Sequence, residues 1–92
     1  MIDSVASPLG YRQIADVSAA AGFANVPVGT QLVLISAETA DVRWRDDGTD
    51  PTATVGMLLT AGQTISYFGP VHKLKFIDVT SGAKVNASFY GR

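Results

Sequence analysis

The segment from Val42 to Gly62 constrains the fold most, because it holds a strand, a polar loop and a returning strand within 21 residues. It opens with Val42-Arg43-Trp44-Arg45, in which apolar and basic side chains alternate and therefore lie on opposite faces of a strand. Asp47-Gly48 is typical of a two-residue hairpin turn. However, Pro51 has no N–H and is confined to sheet edges. We therefore predict a longer loop over Asp46–Val55 that projects from the sheet.

The acidic residues of this loop do not have the spacing of a metal site. Asp46, Asp47 and Asp50 lack the alternation of a calcium loop, and the single glutamate, Glu38, precedes them. We interpret these carboxylates as solvated turn residues and predict neither a metal nor another cofactor. The candidate region is the projecting loop itself, which consists of Asp46, Asp47, Gly48, Thr49, Asp50 and Pro51.

Other apolar patterns along the chain predict further short strands. Gln31–Ile35 contains a continuous apolar run, which is typical of a strand buried on both faces. Lys73–Val79 and Ala83–Tyr90 alternate between apolar and polar residues, as half-buried strands do. With Gly-containing turns between them, about six or seven short strands predict an all-β fold. The two architectures that fit are a small antiparallel sandwich and an open barrel.

The N-terminal third is the least periodic part of the chain. Tyr11–Val17 reads as a strand, and the competing interpretation is a short helix over 14–21 that ends at Gly22. We favour extended structure and divide the chain into an N-terminal arm, residues 1–27, and a β-domain, residues 28–92. An arm rich in small residues is suited to lie across a neighbouring subunit.

Composition limits the function classes. A chain of 92 residues forms one domain with a marginal core, and without cysteine it has no disulfide to stabilise it. We therefore expect the chain to form a homo-oligomer or to dock on a larger assembly. Charged residues make up 16%, against about 25% in an average soluble domain, so protein contacts are expected to cover part of the surface. A net charge of −1 argues against a nucleic-acid coat or a basic membrane anchor, and no targeting signal is apparent.

Two pairs of basic residues are the candidates for partner binding. Arg43 and Arg45 share one strand face, and Lys73 and Lys75 share another, so adjacent strands would present a single basic face. Such a face either docks on an acidic partner or is a solvated surface whose lysines prevent edge pairing.

Large side chains also occur on polar strand faces. Ile77 shares the face of Lys75, and Tyr90 lies among the polar residues of the last strand. Each is expected either at a partner interface or packed within the sandwich. Trp44 alternates with arginines, where a ligand-stacking role competes with a core position beside Val42. His72 has no sequence-local partner for acid–base or nucleophilic chemistry.

One combination of motifs resembles a known class of proteins. Val42-Arg43-Trp44-Arg45-Asp46-Asp47-Gly48-Thr49, followed by Pro51-Thr52, Gly56-Met57-Leu58-Leu59 and Gly62, resembles small virion structural proteins of tailed phages and prophages. The resemblance covers about 28–91. It implies a non-enzymatic virion protein without catalytic residues, made in the host cytoplasm.

Within that class the resemblance implies a capsid decoration or head-associated protein. Its partners would be other virion proteins, first among them the major capsid protein. The alternatives are a tail, head-fibre or connector component. From another class, a host-receptor or carbohydrate-binding module would need exposed aromatic residues grouped at one end of the sandwich. A small enzyme is disfavoured, because the chain has a single His and a single Glu.

Overall fold

A computed structural model describes residues 7–91, so residues 1–6 of the predicted arm and residue 92 of the predicted β-domain lie outside the described part. The described chain is all-β, with seven strands and one 3-10 turn at Val71–Lys73. The strands are β1 (Ser7–Ile14), β2 (Thr30–Glu38), β3 (Val42–Arg45), β4 (Met57–Leu59), β5 (Thr64–Tyr67), β6 (Lys75–Asp78) and β7 (Lys84–Gly91).

The strands form two antiparallel sheets that pack on each other as a sandwich. The larger sheet has the order β1-β7-β2-β5, and the smaller sheet has the order β4-β3-β6. The predicted all-β fold is therefore confirmed, and the sandwich is the architecture adopted. β7 lies in the interior of the larger sheet, between the first strand and the second.

The core lies between the sheets and follows from the alternation of their strands. β7 buries every second residue, Val85, Ala87 and Phe89, as its sequence predicts. Phe23 connects the two layers, because its ring packs edge-to-face on Phe76 of β6 and on Phe89 of β7. The distances between ring centroids are 5.4 Å and 5.5 Å. Such aromatic pairs contribute about 0.5–1.5 kcal/mol beyond the burial of their area.

The predicted burial of both faces of 31–35 is wrong. Val33 and Ile35 are fully buried, whereas Leu32 and Leu34 are half-buried on the outer face of the larger sheet. β2 pairs with β7 on one side and with β5 on the other, and no second layer lies over its outer face within residues 7–91. A continuous apolar run therefore marks an interior strand here, with only one face in the core.

The segment assigned to an N-terminal arm takes part in the sandwich over its described residues. β1 pairs with β7 from Ser7↔Gly91 to Ile14↔Val85, with a register shift between Pro8 and Gly10. Farther along the segment, Val17 and Phe23 belong to the core.

The chain after β1 runs along the edge of β6. Ala21 and Phe76 exchange two main-chain hydrogen bonds, with N···O distances of 2.9 and 2.8 Å. The main-chain N–H of Asp78 also donates to the carbonyl of Val17. Residues 17–21 therefore satisfy the main-chain groups on the side of β6 that faces away from β3.

Candidate docking face

Four of the predicted partner-binding residues share the outer face of the smaller sheet. β3 and β6 are neighbours, with Arg45 opposite Lys75 and Arg43 opposite Ile77. The alternate residues of both strands point inward, as the complete burial of Val42 and Phe76 shows. We call Arg43, Arg45, Lys75 and Ile77 the basic face. Leu58 of β4 lies opposite Arg43 and extends this surface with an exposed apolar side chain.

Two predicted residues lie elsewhere. Lys73 belongs to the 3-10 turn before β6, so it does not form the predicted strand pair with Lys75. The turn arises because Lys73 and Leu74 donate main-chain hydrogen bonds to Pro70 and Val71. Tyr90 is half-buried on the outer face of the larger sheet, where it lies opposite Leu32, and is therefore on the other layer from the basic face.

The two arginines of the basic face have different electrostatic partners. Arg43 donates to two main-chain carbonyls, from Nε to Ala53 at 3.2 Å and from Nη1 to Gly56 at 2.9 Å. Because these acceptors are neutral, the charge of Arg43 is not compensated by them.

Arg45 instead forms an ion pair with Asp47 through two hydrogen bonds. Nε donates to Oδ1 at 3.0 Å, and Nη2 donates to Oδ2 at 2.6 Å. These hydrogen bonds lower the pKa of Asp47 and raise the pKa of Arg45 relative to their ordinary values. The net positive charge of the basic face therefore comes from Arg43 and Lys75.

The predicted projecting loop is held at two points. At its start, the Tyr67 hydroxyl donates to Asp46 Oδ2 at 2.6 Å, and the Tyr67 ring packs edge-to-face on Trp44. Burial, followed by this hydrogen bond to Asp46, raises the pKa of Tyr67 above its ordinary value. Farther along the loop Pro51 is buried, whereas 47–50 before it and 52–55 after it are exposed.

The return from the loop to β4 depends on a glycine. Thr52 and Val55 exchange main-chain hydrogen bonds, which turn the chain back before Gly56. Gly56 has φ +143°, and a Cβ there would lie 3.1 Å from Arg43 Cβ and 3.2 Å from Pro51 Cβ. A side chain at this position would be strained in conformation and crowded against β3. Gly56 thus allows the loop to close tightly beside the basic face.

A cleft of about 340 Å³ opens where the loop meets β4. Its apolar walls come from Trp44, Val55 and Met57, and its polar groups come from 45–47. The indole of Trp44 is half-buried and packs against the core, so it is neither fully enclosed nor a free stacking platform. The carboxylates of the cleft already accept hydrogen bonds from Tyr67 and Arg45.

A second cleft, of about 370 Å³, lies between 26–30 and 69–72. Its walls are largely Val, Pro and Gly residues, and His72 is the titratable side chain that lines it. Over residues 7–91, no group of three His, Cys, Asp or Glu side chains is arranged to hold a metal ion.

Sequence reasoning missed a group of exposed apolar side chains on and beside β4 and β5. Val55, Met57, Leu58 and Phe68 are each about half exposed or more. They lie in residues 51–71, which contain no charged residue. That signal alone is not specific, because 17–37 is equally free of charge, yet of its large apolar side chains only Val28 is exposed.

The chain matches no protein-family model, no curated protein and no solved structure. Among residues 7–91, no helix has the length and apolar character needed to span a bilayer.

Proposed function

We propose that this chain is a non-enzymatic structural protein of a tailed-phage virion, and that it decorates the capsid by docking its basic face on the major capsid protein. The observation that carries the proposal is the register of β3 and β6, which gathers Arg43, Arg45, Lys75 and Ile77 on one sheet face. A tail, head-fibre or connector position would use the same surface on a different virion partner.

The chemistry of the basic face fits an acidic protein surface. Arg43 and Lys75 supply the uncompensated positive charge, while Ile77 and Leu58 supply apolar contact beside it. Interfaces of this type combine an apolar centre with charged groups that orient the partner and speed association. Contacts of modest strength are sufficient on a shell, because repetition over a symmetric lattice multiplies them into avidity.

Reconstitution tests the proposal. Virions are purified from the phage, or from the induced prophage, whose genome encodes the chain. The number of copies of the chain per particle is then measured by quantitative mass spectrometry. Particles lacking it are then mixed with the purified protein and sedimented. Lys75→Glu should lower bound copies at least tenfold, and wild-type binding should weaken as salt rises.

Lys84→Glu is the matched control, because Lys84 is also a half-buried strand lysine but belongs to β7 of the larger sheet. It should bind as the wild type does. Absence of the chain from virions would overturn the proposed function. Equal loss of binding by both lysine variants would overturn the assignment of the basic face.

The Trp44 cleft favours carbohydrate binding as a second candidate function. A half-buried indole beside carboxylates and a guanidinium lines a cleft in which a sugar can make both apolar contacts and hydrogen bonds. Binding of the isolated protein to a glycan array, with quenching of the fluorescence of the single Trp, would support this candidate. A blank array with unchanged fluorescence at millimolar sugar would remove it.

A further inference from the structure

The two sheets end in unequal ways at the two sides of the sandwich. β4 ends the smaller sheet and β5 ends the larger one, and residues 60–63 join these two strands directly. The contact between Trp44 of β3 and Tyr67 of β5 places both ends on the same side. We call this side, formed by residues 51–71, the charge-free flank, because no Asp, Glu, Lys, Arg or His occurs in it.

The charge-free flank carries most of the exposed large apolar side chains. Of six such side chains in residues 7–91, four lie on it, and the other two are Tyr11 and Val28. The exposed fractions on the flank are 51% for Val55, 58% for Met57, 49% for Leu58 and 73% for Phe68. Val55 and Met57 line one cleft, Leu58 lies on the opposite face of β4, and Phe68 follows the last residue of β5. All four therefore lie at or beside the uncovered edges of the two sheets, where exposed apolar side chains indicate a contact surface.

The opposite side, formed by β1 and β6, shows what edge protection looks like in this chain. Residues 17–21 occupy the free edge of β6 with main-chain hydrogen bonds. β1 carries Pro8, a register shift and Arg12, which are devices that discourage further strand pairing. We call this side the covered flank. β4 and β5 have none of these devices and are protected only by being short.

We propose that the charge-free flank is the surface through which two copies of this chain associate about a two-fold axis. In a two-fold contact the same patch meets itself, so any charge on it faces a like charge or is buried. The residues of the flank add no like charge to such a contact. The charges that border it belong to Arg43, which donates to the carbonyls of Ala53 and Gly56, and to the Arg45–Asp47 pair. A charged partner surface would instead lose hydration against this flank and gain no compensating charge.

The size of the flank sets the expected strength of the association. It presents fifteen exposed residues, against about 20–30 per side in a standard interface. Burial of Met57, Leu58 and Phe68 supplies the apolar centre that such a contact needs. We therefore expect a reversible dimer with a dissociation constant on the order of micromolar. This association does not depend on the proposed virion role, because it needs only a second copy of the chain.

Sedimentation equilibrium over roughly three decades of concentration around the micromolar range tests the proposal. The wild type should shift from monomer to dimer, and Met57→Lys should weaken dimerisation at least tenfold by placing like charges across the axis. Tyr11→Lys is the matched control, because Tyr11 is 57% exposed and lies on β1 of the covered flank. It should dimerise as the wild type does.

The absence of cysteine from the chain permits a second, positional measurement. The variants Leu58→Cys and Tyr11→Cys are each treated with a short bismaleimide cross-linker, at a protein concentration near the dissociation constant of the dimer. Covalent dimer is expected for Leu58→Cys and only background for Tyr11→Cys. A wild type that stays monomeric throughout, or equal cross-linking of the two variants, would overturn the proposal. Because the interface shares Leu58 with the surface beside the basic face, retained dimerisation of Lys75→Glu would show that it does not need the charge of that face.

Discussion

The two flanks of this sandwich solve the same problem in opposite ways. A sheet ends in a strand whose outer main-chain groups need partners, and on the covered flank the chain itself supplies them, with residues 17–21 lying along β6. On the charge-free flank, β4 and β5 have no covering segment within residues 7–91, and their exposed surface is apolar. On one side of the sandwich, therefore, the chain covers its own sheet edge, whereas the other side is suited to contact with a second molecule.

The largest expected effect is on the covered flank, at Phe23. This side chain packs on Phe76 and Phe89 and anchors the segment that runs along β6. Phe23→Ala should reduce the free energy of unfolding by about 3–5 kcal/mol, because it opens a cavity between the sheets. Urea unfolding followed by Trp fluorescence measures the loss.

Phe68→Ala on the charge-free flank is the matched control for Phe23→Ala. Phe68 is 73% exposed, so at concentrations that keep the chain monomeric its truncation should change stability by no more than about 0.5 kcal/mol. An equal loss of stability for the two variants would contradict the distinction between the covered flank and the charge-free flank.

A smaller effect is expected where the charge-free flank meets the loop, at Tyr67. Its hydroxyl donates to the carboxylate of Asp46, so Tyr67→Phe should lower stability by about 1–2 kcal/mol at pH 7. The folded pKa of Tyr67 is raised by burial and by Asp46. The stabilisation it gives is therefore fully present below the unfolded value near 10 and is lost as the pH rises above it.

Urea unfolding at pH 7 and near pH 11 measures both parts of this prediction. Tyr90→Phe serves as the control, because the Tyr90 side chain forms no hydrogen bond within residues 7–91. It should leave stability at pH 7 nearly unchanged. If Tyr67→Phe unfolded with the same pH dependence as the wild type, the hydroxyl–carboxylate bond would not be the alkaline-sensitive contact.

The smallest effect concerns the ion pair beside the charge-free flank. Arg45→Gln should raise the pKa of Asp47 toward its ordinary value, because it removes the side-chain hydrogen bonds that lower this pKa most. In the wild type the folded pKa of Asp47 is lowered. The contribution of the pair is therefore present above that ordinary value and is lost as the pH falls through the folded pKa. Because both groups are exposed, global stability should hardly change.

Carboxyl-carbon NMR titration of Asp47 follows this change. Arg43→Gln is the control, because Arg43 bonds to main-chain carbonyls of Ala53 and Gly56 and leaves Asp47 untouched. An Asp47 titration that moved with Arg43→Gln and not with Arg45→Gln would contradict the assigned pairing.

The sequence predicts the sandwich well where burial and periodicity agree. In β7 the alternation of 84–90 and the observed burial match residue by residue. β2 misled the prediction, because an apolar run looks the same whether Leu32 and Leu34 face a second layer or solvent. The edge strand β1 was the hardest to recognise, since its pairing with β7 joins residues some 75 positions apart, beyond any local pattern.

The candidate site was predictable only in part, for a related reason. Alternation places Arg43 and Arg45 on one face, but their meeting with Lys75 and Ile77 depends on the long-range register of β3 and β6. Pro51 correctly argued against a two-residue hairpin, yet its burial and the contact of Asp46 with Tyr67 follow from the packing of the two sheets. The charge-free flank could not be predicted from the sequence, because the segments 17–37 and 51–71 both lack charged residues. Only packing decides which of them exposes its apolar side chains.

The interior position of β7 has a consequence for how the chain folds as it is made. Of the seven described strands, β7 is the last to be synthesised, but β1 and β2 are joined in the larger sheet only through it. Until residue 91 has been synthesised, β1 and β2 lack the strand that pairs with both of them. Pairing between strands so far apart in sequence is also slow. In a crowded polysome, the β7 of an adjacent nascent chain could fill that gap, giving a strand-exchanged pair.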